Sequence, residues 1–273
     1  MNRKELYNQI IKKESFLCVG LDADSAKMPK PLVGKSDAVW EFNREIIDAT
    51  AASAVCYKPN LAFYEQMGEK GWSIFRRTVE YIKTNYPEIF IIADAKRGDI
   101  GNTSALYARA FFEEMDVDAV TLAPYMGADS IRPFYGFEGK WAVILALTSN
   151  PSARDFETQR LENGKMLFEE VLETSKEWGS ADNTMYVVGA TQASELSRVR
   201  AIVPDHFLLV PGVGAQGGSL EEVYKYGANS ECGLLVNSSR GIIYASLEDD
   251  FAERAAEEAA KLRGAMSELL KGK

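Results

Sequence analysis

A single histidine, His206, and only three cysteines, Cys18, Cys56 and Cys232, occur in the 273 residues of this chain. One imidazole cannot build a histidine-based triad or a multi-histidine metal site, so acid–base work falls to Lys, Asp, Glu or Tyr. His206 follows Pro204-Asp205 at the head of an apolar run and reads as a solvated loop position. Three widely spaced cysteines argue against a disulfide framework or a zinc cluster. Cys18 and Cys56 fall inside apolar runs and read as small core hydrophobes. Positive charge is also short, with 31 Lys and Arg against 40 Asp and Glu, a net charge of -9. That balance argues against a nucleic-acid surface, though a local cationic pocket for an anionic metabolite remains open. No apolar run is long enough to span a membrane, and residues 1–14 are polar and helix-like, without the apolar core of a signal peptide. No Pro/Ser/Gly-rich linker divides the chain. The expectation is a cytoplasmic enzyme or binding protein, one domain over residues 1–273, with neither nucleic acid nor membrane as partner.

What is present is a regular alternation. Short β-branched apolar runs at 16–21, 54–58, 89–93, 119–122, 142–147, 185–189, 207–210 and 233–236 predict strands. Amphipathic stretches at 38–52, 72–85, 103–114, 165–179, 195–203, 220–226 and 247–270 predict helices between and after them. Strands that are apolar throughout belong to parallel sheets covered on both faces. Eight strand–helix units in about 250 residues predict a (β/α)8 barrel with a short N-terminal helix; a doubly wound open sheet, the alternative, usually has fewer strands.

The polar exceptions gather where strands end. Asp22, Lys58-Pro59-Asn60, Asp94-Ala95-Lys96, Pro124-Tyr125, Thr148-Ser149-Asn150, Pro211-Gly212-Val213-Gly214 and Asn237-Ser238-Ser239-Arg240 each follow an apolar run. In a barrel these ends converge on the C-terminal face, where active sites are built. Asp94 and Lys96 are two residues apart and share one side of a strand. A structural ion pair is one reading of them. Their place at the mouth, with Lys58 on the neighbouring strand and Asp99 just beyond, favours an array of alternating charge set against a substrate. Asp22 suits either a turn or a sugar hydroxyl, and the residues alone leave that even. Residues 211–218 can close backbone N–H groups on a phosphate, with Arg240 as a forked cation in the next loop. The alternative is a glycine turn and a solvated arginine; both features occupy the two loops where barrels hold phosphate. Ser149 by itself reads as a cap or turn residue. Residues 151–165 are long for a connection between strand and helix, and suit either a lid or surface packing.

The run Asp94-Ala95-Lys96-Arg97-Gly98-Asp99-Ile100 resembles the Asp-x-Lys-x-x-Asp-Ile/Thr signature of the orotidine 5'-phosphate decarboxylase family. Residues 16–22, Lys58, 211–218 and Arg240 match that family in order and spacing, so the resemblance covers nearly the whole chain. It is similar to the longer bacterial branch. The resemblance implies decarboxylation of orotidine 5'-phosphate to UMP without a metal or organic cofactor. It implies that Lys96 protonates C6 of the pyrimidine, that Asp94 lies near the substrate carboxylate, and that Lys58 and Asp22 bind ribose hydroxyls. Asp99, Ile100 and Thr103 would reach the neighbour's site across a homodimer interface. Ser149 would contact the base, and Gly212, Val213, Gly214, Gln216 and Arg240 would hold the phosphate. Arg97 reads as a solvated or interface residue. Two rivals stand beside this: a metal-dependent sugar-phosphate decarboxylase or aldolase of the same superfamily, and a catalytically idle phosphate-binding barrel. The metal-dependent reading would prefer a ligand where Lys58 stands.

Overall fold

The computed structural model describes residues 1–190, 193–213 and 218–272. Eight parallel strands close into a barrel in chain order: β1 (Leu17–Gly20), β2 (Ala54–Lys58), β3 (Phe90–Arg97), β4 (Ala119–Leu122), β5 (Trp141–Leu147), β6 (Thr184–Val188), β7 (Phe207–Pro211) and β8 (Leu234–Ser238). This is the expected (β/α)8 architecture. β2 and β4 occupy the expected residues, whereas β3 and β8 run further than their apolar cores, into the polar residues at their ends.

The barrel interior follows from alternation along each strand. Phe90, Trp141 and Phe207, from β3, β5 and β7, meet edge to face with ring centroids 6.0 and 6.2 Å apart. Such layers drawn from alternate strands fill barrels of this size. Stepping up by twos from that floor leads through Ile92, Val143 and Leu209 to Asp94, Leu145 and Pro211 at the mouth. From even strands, Lys58, Thr121, Val187 and Asn237 arrive at the same level, and all these mouth residues line cavities there. The pleat that buries the apolar floor therefore delivers the charges to the top.

Outside, helices cover the barrel with one apolar stripe each. Helix Ala38–Thr50 buries Val39, Phe42, Asn43, Ile46, Ile47 and Thr50, the i, i+3, i+4 spacing of a single face. Helix Phe251–Lys271 packs on it, Phe42 stacking on Phe251 at 5.7 Å. Helix Gly101–Arg109 continues into a π-helical turn, Ala110–Glu114, that buries Phe111 and Phe112. No helix among the described residues is long and apolar enough to cross a membrane.

His206 corrects the sequence reading. It is buried, its ring centroid 5.4 Å from that of Tyr186, and neither ring nitrogen has a hydrogen-bond partner among the described residues. Pro204-Asp205 does lie in a connection, between helix Ala193–Ile202 and β7, but the His206 side chain is already buried as the chain enters β7. Burial, with Arg200 and Arg3 nearby, lowers its pKa to about 4.

Candidate active site at the barrel mouth

At the end of β2, Lys58 is buried, and its ammonium donates to Asp94 Oδ2 at 2.9 Å. From the other side, Lys96 Nζ donates to Asp94 Oδ1 at 2.6 Å. The three form a cation–anion–cation triad across the ends of β2 and β3. Burial alone would push the Asp94 carboxyl up, but the two ammonium groups outweigh it and hold that carboxyl well below the usual carboxylate range. Burial likewise pulls Lys58 down, and Asp94, followed by Asp22, overcomes this and lifts it above the ordinary lysine value. Lys58 and Asp94 are therefore fixed charges. Lys96 differs from both in being half exposed, with 50% of its side-chain surface open, so its ammonium faces the cavity.

β3 is not regular where it carries these groups. Its ladder to β4 pairs Ala93 with Val120 and then Arg97 with Leu122, so Asp94, Ala95 and Lys96 lie opposite Thr121 alone. Lys96 takes a φ of 47°, the left-handed region that costs a lysine about 1–2 kcal/mol. Thr121 fills the gap: Lys96 N–H donates to its hydroxyl, and the hydroxyl donates to Asp94 Oδ1, both at 2.9 Å. A lone threonine in the apolar run 119–122 was its only signal in the sequence. Lys58-Pro59-Asn60 holds the other edge, Asp94 N–H donating to the Pro59 carbonyl at 3.0 Å.

Two neighbouring lobes open above the triad, each about 220 Å³, and Lys58 and Pro211 line both. Asp94, Lys96, Thr121, Thr148, Ser149 and Asn150 line one lobe, with an apolar wall of Leu145, Val187 and Leu209. Asp22, Gly212, Val213, Asn237, Ser238, Ser239 and Arg240 complete the other. Asp22 Oδ1 is buried there without a hydrogen-bond partner among the described residues, an acceptor that polar matter in the lobe would satisfy. Its backbone is firmly held. Tyr64 Oη donates to the Leu21 carbonyl at 3.0 Å, and Asp24 N–H donates to Tyr244 Oη at 2.6 Å. Gly20 makes this corner possible: a Cβ there would lie 1.7 Å from Ser239 Oγ. Gly212 adopts a φ of 98°, which turns the chain after β7 and favours glycine. Gly214 and Gln216, expected in the same loop, lie outside the described residues.

The other expected site residues stand elsewhere. Asp99 accepts a hydrogen bond from Ile100 N–H at 2.7 Å and takes no part in the triad. Ile100 and Thr103 are exposed, on the loop after β3 and on helix Gly101–Arg109. None of the three lines either lobe. Arg97 is more embedded than expected. It donates to the Ala95 carbonyl at 2.8 Å, pairs with Glu65, and lies 5.6 Å from the ring centroids of Tyr107 and Phe111. In residues 151–165, Glu157 reaches back to accept from Thr148 N–H at 2.6 Å and Thr148 Oγ1 at 2.8 Å. This segment thereby braces the turn that carries Ser149, a role its composition did not reveal.

Among the described residues no three His, Cys, Asp or Glu side chains cluster as metal ligands. The second strand ends instead in the paired cation Lys58.

Known proteins match nearly the whole chain. The profile described as Orotidine 5'-phosphate decarboxylase / HUMPS family matches residues 15–256. An orotidine 5'-phosphate decarboxylase of Phocaeicola vulgatus is 60% identical over 270 residues, 99% of both chains. One of Flavobacterium johnsoniae is 58% identical over 273 residues, the whole of both. Among solved structures, the OMP decarboxylase of Leishmania donovani superimposes with a TM-score of 0.81 at 34% identity, covering 97% of this chain and all of that one. With this coverage and identity, the chain belongs to the orotidine 5'-phosphate decarboxylase / HUMPS family.

Proposed function

We propose that this chain is a carboxy-lyase that converts orotidine 5'-phosphate to UMP and carbon dioxide in pyrimidine biosynthesis. The observation that carries this reading is the Lys58–Asp94–Lys96 triad, with its one half-exposed ammonium, beside a second lobe suited to ribose and phosphate. Full-length relatives of that name support it.

The chemistry follows from the charges. The bond from C6 to the carboxylate breaks, its electron pair stays on C6, and carbon dioxide leaves. Lys96 stabilises the developing carbanion and delivers one Nζ proton to C6; the resulting amine regains a proton from water. Asp94, held ionised by two cations, orients Lys96 and stands near the departing carboxylate. Lys58 and the unpartnered Asp22 oxygen take ribose hydroxyls, and Ser149 faces the base. Arg240 and the backbone at Gly212 and Val213 hold the phosphate, together with Gly214 and Gln216 of the same loop. Contacts remote from C6 order the substrate so that its binding energy is expressed in the transition state.

The protein acts as a homodimer in which Asp99, Ile100 and Thr103 of one subunit complete the other's site. Their position outside the lobes of their own chain supports this. So does the exposed apolar surface around them: Ile100, Leu106, Tyr107, Tyr125 and Met126, with Tyr125 91% open.

EDTA-treated protein should consume orotidine 5'-phosphate at full rate, seen as loss of its ultraviolet absorbance. Inactivity, or rescue only by added magnesium, would overturn the reading. Mixing inactive Lys96→Ala and Asp99→Ala proteins should restore turnover, because one mixed site regains both groups. Persistent inactivity at concentrations where subunits exchange rules out the shared site.

A further inference from the structure

Resting on the decarboxylase reading, we infer that Thr121 is a positioning residue for the reaction: its hydroxyl sets Lys96 and Asp94 in register with each other. Three observations meet at this side chain. β3 bulges so that Asp94, Ala95 and Lys96 lie opposite Thr121 alone. Lys96 is held at a φ of 47°, which a lysine does not adopt without compensation. The Thr121 hydroxyl, on a residue only 1% exposed, bonds to both halves of that bulge at 2.9 Å.

The direction of each bond is fixed by chemistry. The Lys96 amide can only donate and the ionised Asp94 carboxylate can only accept, so the hydroxyl accepts from the first and gives its one proton to the second. Asp94 Oδ1 also receives Lys96 Nζ at 2.6 Å. A closed ring results, running from the Lys96 amide through Thr121 and Asp94 to the Lys96 ammonium. The backbone that carries the proton donor and the carboxylate that aims it are thus tied to one oxygen. A packing role alone would be filled as well by valine, which suits its neighbours Ala119, Val120 and Leu122. Valine would strand a part-buried amide and remove one donor from a buried carboxylate.

The test compares wild type, Thr121→Val and Thr121→Ser in steady-state decarboxylation of orotidine 5'-phosphate, with UMP binding and thermal unfolding alongside. Loss of a hydrogen bond to a charged group predicts a kcat about 10- to 100-fold lower in Thr121→Val. KM and UMP affinity should stay within about 3-fold of wild type, because the effect falls on the transition state. Thr121→Ser, which keeps the hydroxyl, should recover kcat to within about 3-fold by the same reasoning. If Thr121→Val does not fold, Thr121→Ala against Thr121→Ser carries the same comparison. A wild-type kcat in Thr121→Val, equal losses in the valine and serine variants, or a loss confined to KM would each overturn the inference. A wild-type protein without turnover would overturn the decarboxylase reading itself, a distinguishable result.

Discussion

Two buried aspartates in this barrel each sit between two cations, and they stand at opposite ends. Asp118, at the base of β4, accepts from Lys83 Nζ at 2.9 Å on both oxygens, from the Met1 α-ammonium at 3.1 Å and from Ile91 N–H at 2.9 Å. Asp94, at the mouth, accepts from Lys58, Lys96 and Thr121. The local electrostatics are alike and the surroundings are not. Asp118 is 3% exposed, lines neither mouth lobe, and ties the backbone of β3 to helix Glu69–Asn85 and to Met1. The two cations on Asp94, Lys58 and Lys96, both line the mouth cavities, and Lys96 is half exposed. Buried ion pairs are poor evidence for function in themselves. What separates the two is whether members of the network line the cavities at the barrel mouth, since Lys83 also reaches solvent, with 25% of its side chain open, but lines neither lobe.

The sharpest way to break this comparison is to remove each carboxylate in turn. Asp94→Asn should lower kcat by about 10³-fold or more, since both the electrostatics and the aim of the proton donor depend on it. Asp118→Ala should leave kcat per folded molecule near wild type while costing about 3 kcal/mol or more, a Tm loss of roughly 6 °C or more. Steady-state kinetics and thermal unfolding on both variants check the pair. If Asp118→Ala loses turnover in the folded state, the division between the two ends of the barrel fails.

A smaller effect comes from a third buried group, His206. Its folded pKa, about 4, lies below the ordinary 6.5, so the unfolded chain binds the extra proton first as pH falls. Stability should therefore be full above about pH 6.5, decline between 6.5 and 4, and lose nothing further from this group below that. The loss by pH 5 is about 2 kcal/mol. Urea midpoints at pH 7 and pH 5 should move less in His206→Leu than in wild type; parallel shifts would count against the assignment. Asp94 acts in the same sense at lower pH: its depressed pKa adds stability above the ordinary 3.8, lost only in stronger acid.

Much of this was legible in the sequence because the barrel is buried on both faces. The strand 54–58 is apolar up to its last residue, so the lysine that closes it stands out. Parity alone put Asp94 and Lys96 on one side, and Lys58 beside them. Parity could not reveal that β3 carries extra residues opposite β4, because a bulge depends on two strands at once. Thr121 was hidden for that reason, since a threonine is an ordinary strand residue until its partner is known. Glu157 was hidden by distance, its carboxylate returning nine residues to Thr148. His206 was misread because Pro204-Asp205 marks a loop in the backbone and says nothing about where the next side chain points.

Protonation of C6 by Lys96 stands or falls with the Lys96→Ala variant. Its exposed side chain contributes little to stability, so the variant should fold with a Tm within about 2–4 °C of wild type, as for a pair worth about 1 kcal/mol. Its turnover should lie at least about 10⁴-fold below wild type, from combined loss of acid and electrostatic stabilisation, with UMP binding still measurable. A folded Lys96→Ala protein that still decarboxylates orotidine 5'-phosphate near the wild-type rate would contradict that protonation.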